Sequence, residues 1–381
     1  MNMVNSRVRD WLAPRRAEME ALLQKLVNTE SFSHDKPGND RVGDLLAEFL
    51  AGPGIEIERI PVESFGDAIK VTVAGPGNAH ALMMGHRDTV FPTGTVAKRP
   101  YAAVGDRAYG PGVADMKSGL VLIAFVLKAF AATGGAPFPI VGLFTGDEEV
   151  GSDTGRPIIE KLAVGARAVL NMEPGRASGN VVSARKGGFW MKIDVKGRAA
   201  HAGVNHQAGR NAIEALARKV IRLHALTDYD AGITTNVGVI EGGIGHNTVA
   251  SWASAEFDVR IVDEAQRAPI VAAIADILEA EDVPDTVATG TMMSNRVPMA
   301  AETSRDLLAR YAAAAAEIGF SVGGEFTGGC ADSGFTSAMG IPTLCGLGPV
   351  GEKAHTEDEV CHLETLVPRA QAVAATLISL A

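Results

Sequence analysis

The sequence predicts an α/β protein with a mostly parallel central sheet and an inserted α+β domain. Three observations predict it. Apolar runs of strand length lie before and after the middle of the chain, clusters of histidine and carboxylate residues follow those runs, and a segment between them alternates apolar and polar residues. At 381 residues the chain is long enough for two domains. We expect a discontinuous first domain over residues 1–185 and 296–381, and an inserted domain over residues 186–295.

Four apolar runs are typical of buried parallel strands. They are Ala81–Met84, Ile140–Phe144, Ala168–Leu170 and Pro342–Leu347. Apolar spacing of three and four residues predicts helices over 120–130 and 303–318, and an amphipathic surface helix within residues 1–24. Because open α/β sheets bind ligands at the carboxyl ends of their strands, the clusters lie where this architecture places an active site.

The middle segment has a different pattern. Residues 189–195 alternate apolar and polar side chains, as a half-exposed strand does. A helix is predicted over 211–226, and further strands over 237–241 and 255–262. This order predicts a β-α-β-β-α-β, ferredoxin-like unit with antiparallel character.

Five short clusters contain the histidines and carboxylates. They are Met84–Thr89 (MGHRDT), Ala114–Gly119 (ADMKSG), Gly146–Gly151 (GDEEVG), Asn171–Gly175 (NMEPG) and His355–Asp358 (HTED). Imidazole and carboxylate groups are the ligands that Zn²⁺ and similar divalent cations prefer. If two histidines and three carboxylates converge, they suffice for two cations, and a cation pair is suited to hydrolysis.

The residues alone leave the individual roles open. His86 and Asp88 point to the same side of an extended chain, so one can bind metal while the other fixes the imidazole tautomer. Asp115 can bridge two metals, cap the following helix, or do both. Adjacent Glu148 and Glu149 diverge, so one can bind metal while the other acts as general base.

Composition excludes several functional classes. A net charge of −10 argues against a nucleic-acid-binding protein. No apolar run is long enough for a membrane span, so we expect no membrane partner. Three cysteines make no disulfide framework and favour a reducing compartment, so we expect a cytoplasmic protein, or a periplasmic or secreted one if a leader has been removed.

Taken in order, the motifs MGHRDT, ADMKSG, GDEEVGS, NMEPG, HAG and HTEDE resemble those of the M20 family of metallopeptidases, in its carboxypeptidase G2-like (glutamate carboxypeptidase) branch. The resemblance covers nearly the whole chain. It implies a zinc-exopeptidase-like catalytic domain that binds two Zn²⁺ ions, with Co²⁺ or Mn²⁺ as alternatives. It also implies an inserted lid domain through which a homodimer forms, and a cis peptide bond after Asp115.

The resemblance further assigns roles to individual residues. His86, Asp115 and Glu173 would hold one cation, and Glu149 and His355 would hold the other with Asp115 as the bridge. Glu148 would be the catalytic base, Asp88 the carboxylate behind the histidine ligand, and His201 the lid residue that stabilises the oxyanion, in its own subunit or across a dimer. The implied substrate-binding residues are Asn247, Arg260, Arg296, Gly328 and Gly329.

The implied activity is a metallo-carboxypeptidase or amidohydrolase that releases a C-terminal amino acid, glutamate, from an N-acyl or peptidyl substrate. In the family a Glu at the position of Glu173 is typical of carboxypeptidases and deacylases, whereas aminopeptidases commonly carry Asp. The alternative enzyme is a biosynthetic deacylase of the acetylornithine or succinyl-diaminopimelate type. A metal-binding scaffold without activity is a third hypothesis, but a scaffold has no need of Glu148 and His201.

Overall fold

The computed structural model describes residues 3–381, which divide into two compact units. The first unit comprises the chain up to Ala184, Met299–Thr327 and Ala331–Ala381. The second comprises Arg185–Pro298 and Gly328–Cys330. A three-residue loop distant in sequence therefore groups with the inserted segment.

Helices and strands alternate through most of the chain. The helices are α1 Met3–Leu12, α2 Arg16–Val27, α3 Lys36–Leu50, α4 Thr95–Lys98, α5 Ser118–Ala132, α6 Gly155–Ala163, α7 Ala212–His224, α8 Arg267–Glu279, α9 Ala301–Ile318, α10 Ser333–Ala338 and α11 Leu366–Ser379. The strands are β1 Ile55–Ile60, β2 Ala68–Val73, β3 Ala81–His86, β4 Ala102–Val104, β5 Arg107–Tyr109, β6 Ile140–Thr145, β7 Ala168–Asn171, β8 Val181–Arg185, β9 Gly187–Lys196, β10 Thr234–Gly242, β11 Trp252–Ile261, β12 Val287–Arg296, β13 Gly324–Thr327, β14 Thr343–Leu344, β15 Gly351–Glu352 and β16 Val360–His362.

The first unit is built on a six-stranded sheet in the order β1-β2-β6-β3-β7-β14. Strand β3 runs parallel to β6 and β7, and β14 runs parallel to β7, whereas β1 and β2 pair in antiparallel fashion. Strands β3, β6 and β7 are buried at every residue, which explains their continuous apolar sequence. The predicted α/β fold is confirmed, and three of the five clusters directly follow these strands.

Two predictions for the first unit need correction. The last strand extends only over β14, because Cys345 pairs with Val182 instead and Gly346 turns the chain with a φ of +71°. The expected single N-terminal helix is two helices, α1 and α2. Pro14 lies at the break, because proline disfavours helical geometry in the residue before it. Residues 1 and 2 of that prediction lie outside the described chain.

The second unit has the predicted β-α-β-β-α-β order. Its sheet is antiparallel throughout, in the order β10-β11-β9-β12. Alternate residues of β9 and β11 form a core with the apolar faces of α7 and α8, while the intervening residues face away from it. This is why the segment alternates in sequence where the first unit does not. Among residues 3–381, no helix combines the length and apolar character that a membrane span requires.

Candidate metal centre and second-unit residues

His86 ends strand β3 with its ring directed at other polar groups. Its Nδ1 lies 3.0 Å from the carbonyl oxygen of Asp88 and 3.3 Å from Asp88 Oδ1. When either oxygen holds the proton of a neutral ring on Nδ1, the lone pair of Nε2 is available to a cation. That Nε2 lies 3.2 Å from Asp115 Oδ1 and 3.9 Å from Glu173 Oε1.

Asp115 lies in the turn between β5 and α5. The turn, Val113–Lys117, contains non-helical backbone at Asp115 and Met116, and the peptide bond between those two residues is cis, as the resemblance implied. The two carboxylate oxygens of Asp115 face different histidines. Oδ1 faces His86, and Oδ2 lies 3.4 Å from His355 Nε2.

His355 completes the second half of the cluster. Its Nε2 also lies 3.2 Å from Glu149 Oε2. The backbone of His355 has a φ of +64°, a left-handed conformation that is uncommon for residues other than glycine and often found at functional sites. The structure therefore brings five side chains into one cluster in the first unit, arranged as two groups that share Asp115.

The donor set of this cluster fits divalent cations. One ligand atom each from His86, Asp115 and Glu149 lie within 4.8 Å of one another. Within the described chain, Glu149 Oε1 is buried and has no hydrogen-bond partner. A buried carboxylate oxygen without a partner is costly, and a bound cation would satisfy it.

Burial and close grouping shift the pKa values of the side chains in this cluster. Burial raises the pKa of Glu149 to about 8, and the negative charge of Asp115 adds to the effect. Hydrogen bonds with Asp115 and Glu149 raise the pKa of His355 to about 11. Burial alone would raise the pKa of Asp115, but its bonds with the two histidines outweigh burial and hold that pKa below its usual range. Without cations the cluster thus retains protons that a metal would displace.

Asp88 organises the turn that carries the two adjacent glutamates. Its fully buried carboxylate accepts hydrogen bonds from the backbone N–H groups of Glu148 and Glu149, both at 3.1 Å, and from Ser33 Oγ at 2.8 Å. One side chain thus contacts His86 and also fixes the backbone of Glu148. Sequence reasoning missed Ser33, because it lies 55 residues from Asp88 and outside every motif.

The other predicted site residues belong to the second unit, where two loops meet at His201 and Asn247. The N–H of Ala202 donates to the carbonyl oxygen of Asn247 at 2.9 Å, and His201 pairs with Thr248. The N–H of Gly203 donates to His201 Nδ1 at 3.2 Å. Since Nδ1 is the acceptor, the proton of a neutral His201 ring lies on Nε2, which is then available as a donor.

Arg260 and Arg296 occupy one row of the second-unit sheet. Both lie opposite Gly188, Arg260 from β11 and Arg296 from β12, so all three positions share one face. Arg260 Nε donates to both carboxylate oxygens of Asp258 at 2.7 and 2.8 Å, and its Nη1 lies 2.9 Å from Cys330 Sγ. A side chain at position 188 would crowd Arg260, since an added Cβ would lie 3.0 Å from its Cδ.

The Gly328–Gly329 loop is tied to this unit by a further arginine. Arg185 Nη1 donates to the carbonyl oxygens of Gly329 at 3.2 Å and Cys330 at 3.4 Å. The sequence analysis missed Arg185, Asp258 and Cys330. The alternation of β11 places Asp258 and Arg260 on the same face, but no local signal pairs Cys330 with them.

Comparison with known proteins identifies the family. The model of peptidase family M20/M25/M40 matches residues 82–379. Carboxypeptidase G2 from Pseudomonas sp. is 31% identical over 366 residues, which cover 93% of this chain and 87% of that protein. Succinyl-diaminopimelate desuccinylase from Gluconobacter oxydans is 30% identical over 282 residues, which cover 68% of this chain and 71% of that protein.

Solved structures agree on the fold. A tripeptidase from Staphylococcus aureus superposes with a TM-score of 0.82 at 20% sequence identity, covering 96% of this chain and 98% of that chain. The resemblance drawn from the motifs is confirmed: the chain belongs to peptidase family M20/M25/M40 and is a hydrolase of that family.

Proposed function

We propose that this protein is a di-metal carboxypeptidase or amidohydrolase that releases a C-terminal amino acid, glutamate, from an N-acyl or peptidyl substrate. The observation that carries the proposal is the position of Asp115. One of its oxygens lies 3.2 Å from His86 and the other 3.4 Å from His355. A carboxylate between two imidazoles, with a further carboxylate beside each, is the donor set expected for a bridged cation pair.

The ligands divide into two groups. His86, Asp115 and Glu173 would hold one cation, and Asp115, Glu149 and His355 the other. Zn²⁺ suits these donors, and Co²⁺ or Mn²⁺ could replace it. Bound cations would supply a water of lowered pKa and positive charge beside the developing oxyanion.

Glu148 is the proposed general base. It accepts a proton from the attacking water and delivers it to the leaving amine, so that the amide breaks into a free amine and a carboxylate. The backbone N–H of Glu148 is bonded to Asp88, which also contacts His86. This shared partner supports a fixed position for the base relative to the metal ligands.

His201 is the proposed oxyanion donor. Its tautomer supports the role, because the Gly203 N–H occupies Nδ1 and leaves the Nε2 proton free to donate. His201 can act on the substrate in its own subunit or on the substrate of a second subunit.

A carboxylate-binding role for the second unit supports exopeptidase specificity. Arg260 and Arg296 flank Gly188, and guanidinium groups bind carboxylates in bidentate fashion. Asn247, Gly328 and Gly329 are proposed to line the same subsite. Glutamate as the released residue is supported by the likeness to carboxypeptidase G2 across 93% of the chain.

A deacylase is the second candidate. The likeness to succinyl-diaminopimelate desuccinylase over 68% of the chain favours it specifically. A panel of folate-like, N-acyl-glutamate, N-acyl-ornithine and N-succinyl-diaminopimelate substrates separates the two, with the released amine as the readout. Preference for the last two substrates would refute the carboxypeptidase assignment.

Replacing the proposed base tests the mechanism. We expect Glu148→Gln to retain metal and to lose at least about a hundredfold in kcat, within the usual contribution of general-base catalysis. Asp153→Asn, an exposed change in the same loop, should leave kcat unchanged. Near-normal turnover by Glu148→Gln with normal metal content would refute the role of Glu148.

A homodimer through the second unit is also proposed. Strand β10 is an outer strand of the sheet, and it exposes Val239 and Ile240, which are 45% and 54% accessible. Neighbouring α7 exposes Ile221 at 73%. Apolar residues on an unpaired edge favour association. Light scattering on wild type and Ile240→Asp tests it: we expect a dimer that the substitution weakens, and a monomeric wild type would exclude it.

A further inference from the structure

Glu359 is a fully buried carboxylate outside the proposed ligand set. It lies four residues after His355, just before β16, and has no solvent exposure. Its oxygens accept three backbone hydrogen bonds, from Gly112 to Oε2 at 2.9 Å, and from Ala114 and Asp115 to Oε1 at 2.9 and 2.8 Å. Such bonds offset part of the cost of burying the carboxylate, although burial still raises the pKa of Glu359 to about 7.

These three bonds fix the turn that presents Asp115. The turn departs from helical geometry at Asp115, where φ is −110° and ψ is 94°, and Gly112 before it is left-handed with a φ of +71°. Backbone N–H groups in such a turn cannot all find helical acceptors, and here three of them converge on Glu359. The direction in which Asp115 leaves the backbone therefore depends on this carboxylate.

The same residue also ties together two halves of the candidate metal centre. Glu359 belongs to the segment that carries His355, whereas its donors belong to the segment that carries Asp115. The gap that these bonds span in sequence exceeds 240 residues. The contact between Asp115 Oδ2 and His355 Nε2, at 3.4 Å, joins the same two segments.

We propose that Glu359 is a positioning residue that keeps the carboxylate of Asp115 facing His355. Loss of Glu359 then weakens binding of the cation shared by Asp115, Glu149 and His355. The inference rests on the proposed di-metal function. Glu359 itself is not among the proposed ligands of either cation. Partners that orient metal ligands typically contribute about 10–100-fold to metal affinity, and we expect a loss in that range.

The test compares Glu359→Gln with Glu357→Gln. The amide keeps one acceptor oxygen but turns an N–H₂ group toward a backbone donor. Residue 357 is exposed in the same segment and serves as the matched control. Zn²⁺ is titrated into metal-free protein by calorimetry, with metal content after dialysis as a second readout and circular dichroism as a check on folding.

We expect wild type and Glu357→Gln to bind two ions, and folded Glu359→Gln to bind one of them about 10–100-fold more weakly. If folded Glu359→Gln has a lower Tm but binds both ions as wild type does, the role is only structural and the proposal is wrong. If Glu359→Gln does not fold, Glu359→Asp, which keeps the charge but shortens its reach, is judged by the same criterion. A wild type that binds fewer than two ions would instead refute the di-metal function.

Discussion

Replacing Glu149 by glutamine should change stability in opposite directions with and without metal. The Glu149 side chain is 6% exposed, and within the described chain its Oε1 has no hydrogen-bond partner. Burial, together with the charge of Asp115, raises its pKa from 4.5 to about 8. In the metal-free protein this carboxyl therefore opposes folding at neutral pH.

The size of the effect follows from proton linkage. When folding raises the pKa of a group, the contribution of that group to the free energy of unfolding is fully present below its unfolded pKa. This contribution is lost as the pH rises through its folded pKa. At pH 7, roughly 2.5 units above the unfolded pKa, the lost contribution is about 3 kcal/mol. Glutamine removes this cost but loses the contact with half-exposed His355, which offsets about 1 kcal/mol. The net stabilisation is about 2 kcal/mol, or a rise in Tm of roughly 2–4 °C for a protein of this size.

With zinc bound, wild type should be more stable than Glu149→Gln. A ligand present at a thousand times its Kd stabilises the folded state by about 4 kcal/mol. An amide is a poor substitute for a carboxylate ligand, so Glu149→Gln should lose a large part of that stabilisation.

The assay is thermal and urea unfolding at pH 5, 7 and 8.5, on chelator-treated protein and after zinc addition. Glu160→Gln, a surface change in α6, is the control. The advantage of metal-free Glu149→Gln should shrink to under about 1 kcal/mol at pH 5. A metal-free variant less stable than wild type at pH 8.5 would refute the burial argument. An equal zinc-induced rise in Tm for both proteins would show that Glu149 is not a ligand.

Three further predictions test other parts of the structure. Zinc binding at pH 7 should release protons, because His355 and Glu149 are protonated in the metal-free cluster with pKa values of about 11 and 8, and zinc affinity should therefore rise with pH. Calorimetry in buffers of different ionisation enthalpy measures the number of protons released, and a value of zero would contradict the prediction. Lys219→Met should destabilise the second unit by about 2–4 kcal/mol in urea unfolding, because the buried ammonium group of Lys219 donates to three carbonyl groups at the end of α8. The control Lys192→Met, at an exposed position, should change the free energy of unfolding by less than about 0.5 kcal/mol. Among the three cysteines only Cys330 should react with iodoacetamide in the folded protein, because Cys345 and Cys361 are fully buried. Mass spectrometry identifies the labelled residues, and labelling of Cys345 or Cys361 would contradict their burial.

Much of the fold was predictable because the strands differ in local pattern. Continuous apolar runs predicted β3, β6 and β7, and alternation predicted β9. The failures came where tertiary contacts override pattern. Residues 345–347 are apolar enough for a strand, but pairing of Cys345 with Val182 and the left-handed Gly346 end it early.

By itself, the sequence determined which side chains are candidates for the chemistry. Ligand types are a property of side chains, and clusters that follow parallel strands must meet at one edge of the sheet. Only the tertiary structure decided how those candidate ligands are positioned. The carbonyl and carboxylate of Asp88 lie against Nδ1 of His86 and direct Nε2 to Asp115. Glu359 fixes the turn of Asp115, and Cys330 contacts Arg260. These contacts join residues that lie outside the motifs or far apart in the chain, and local pattern contains no information about such pairings.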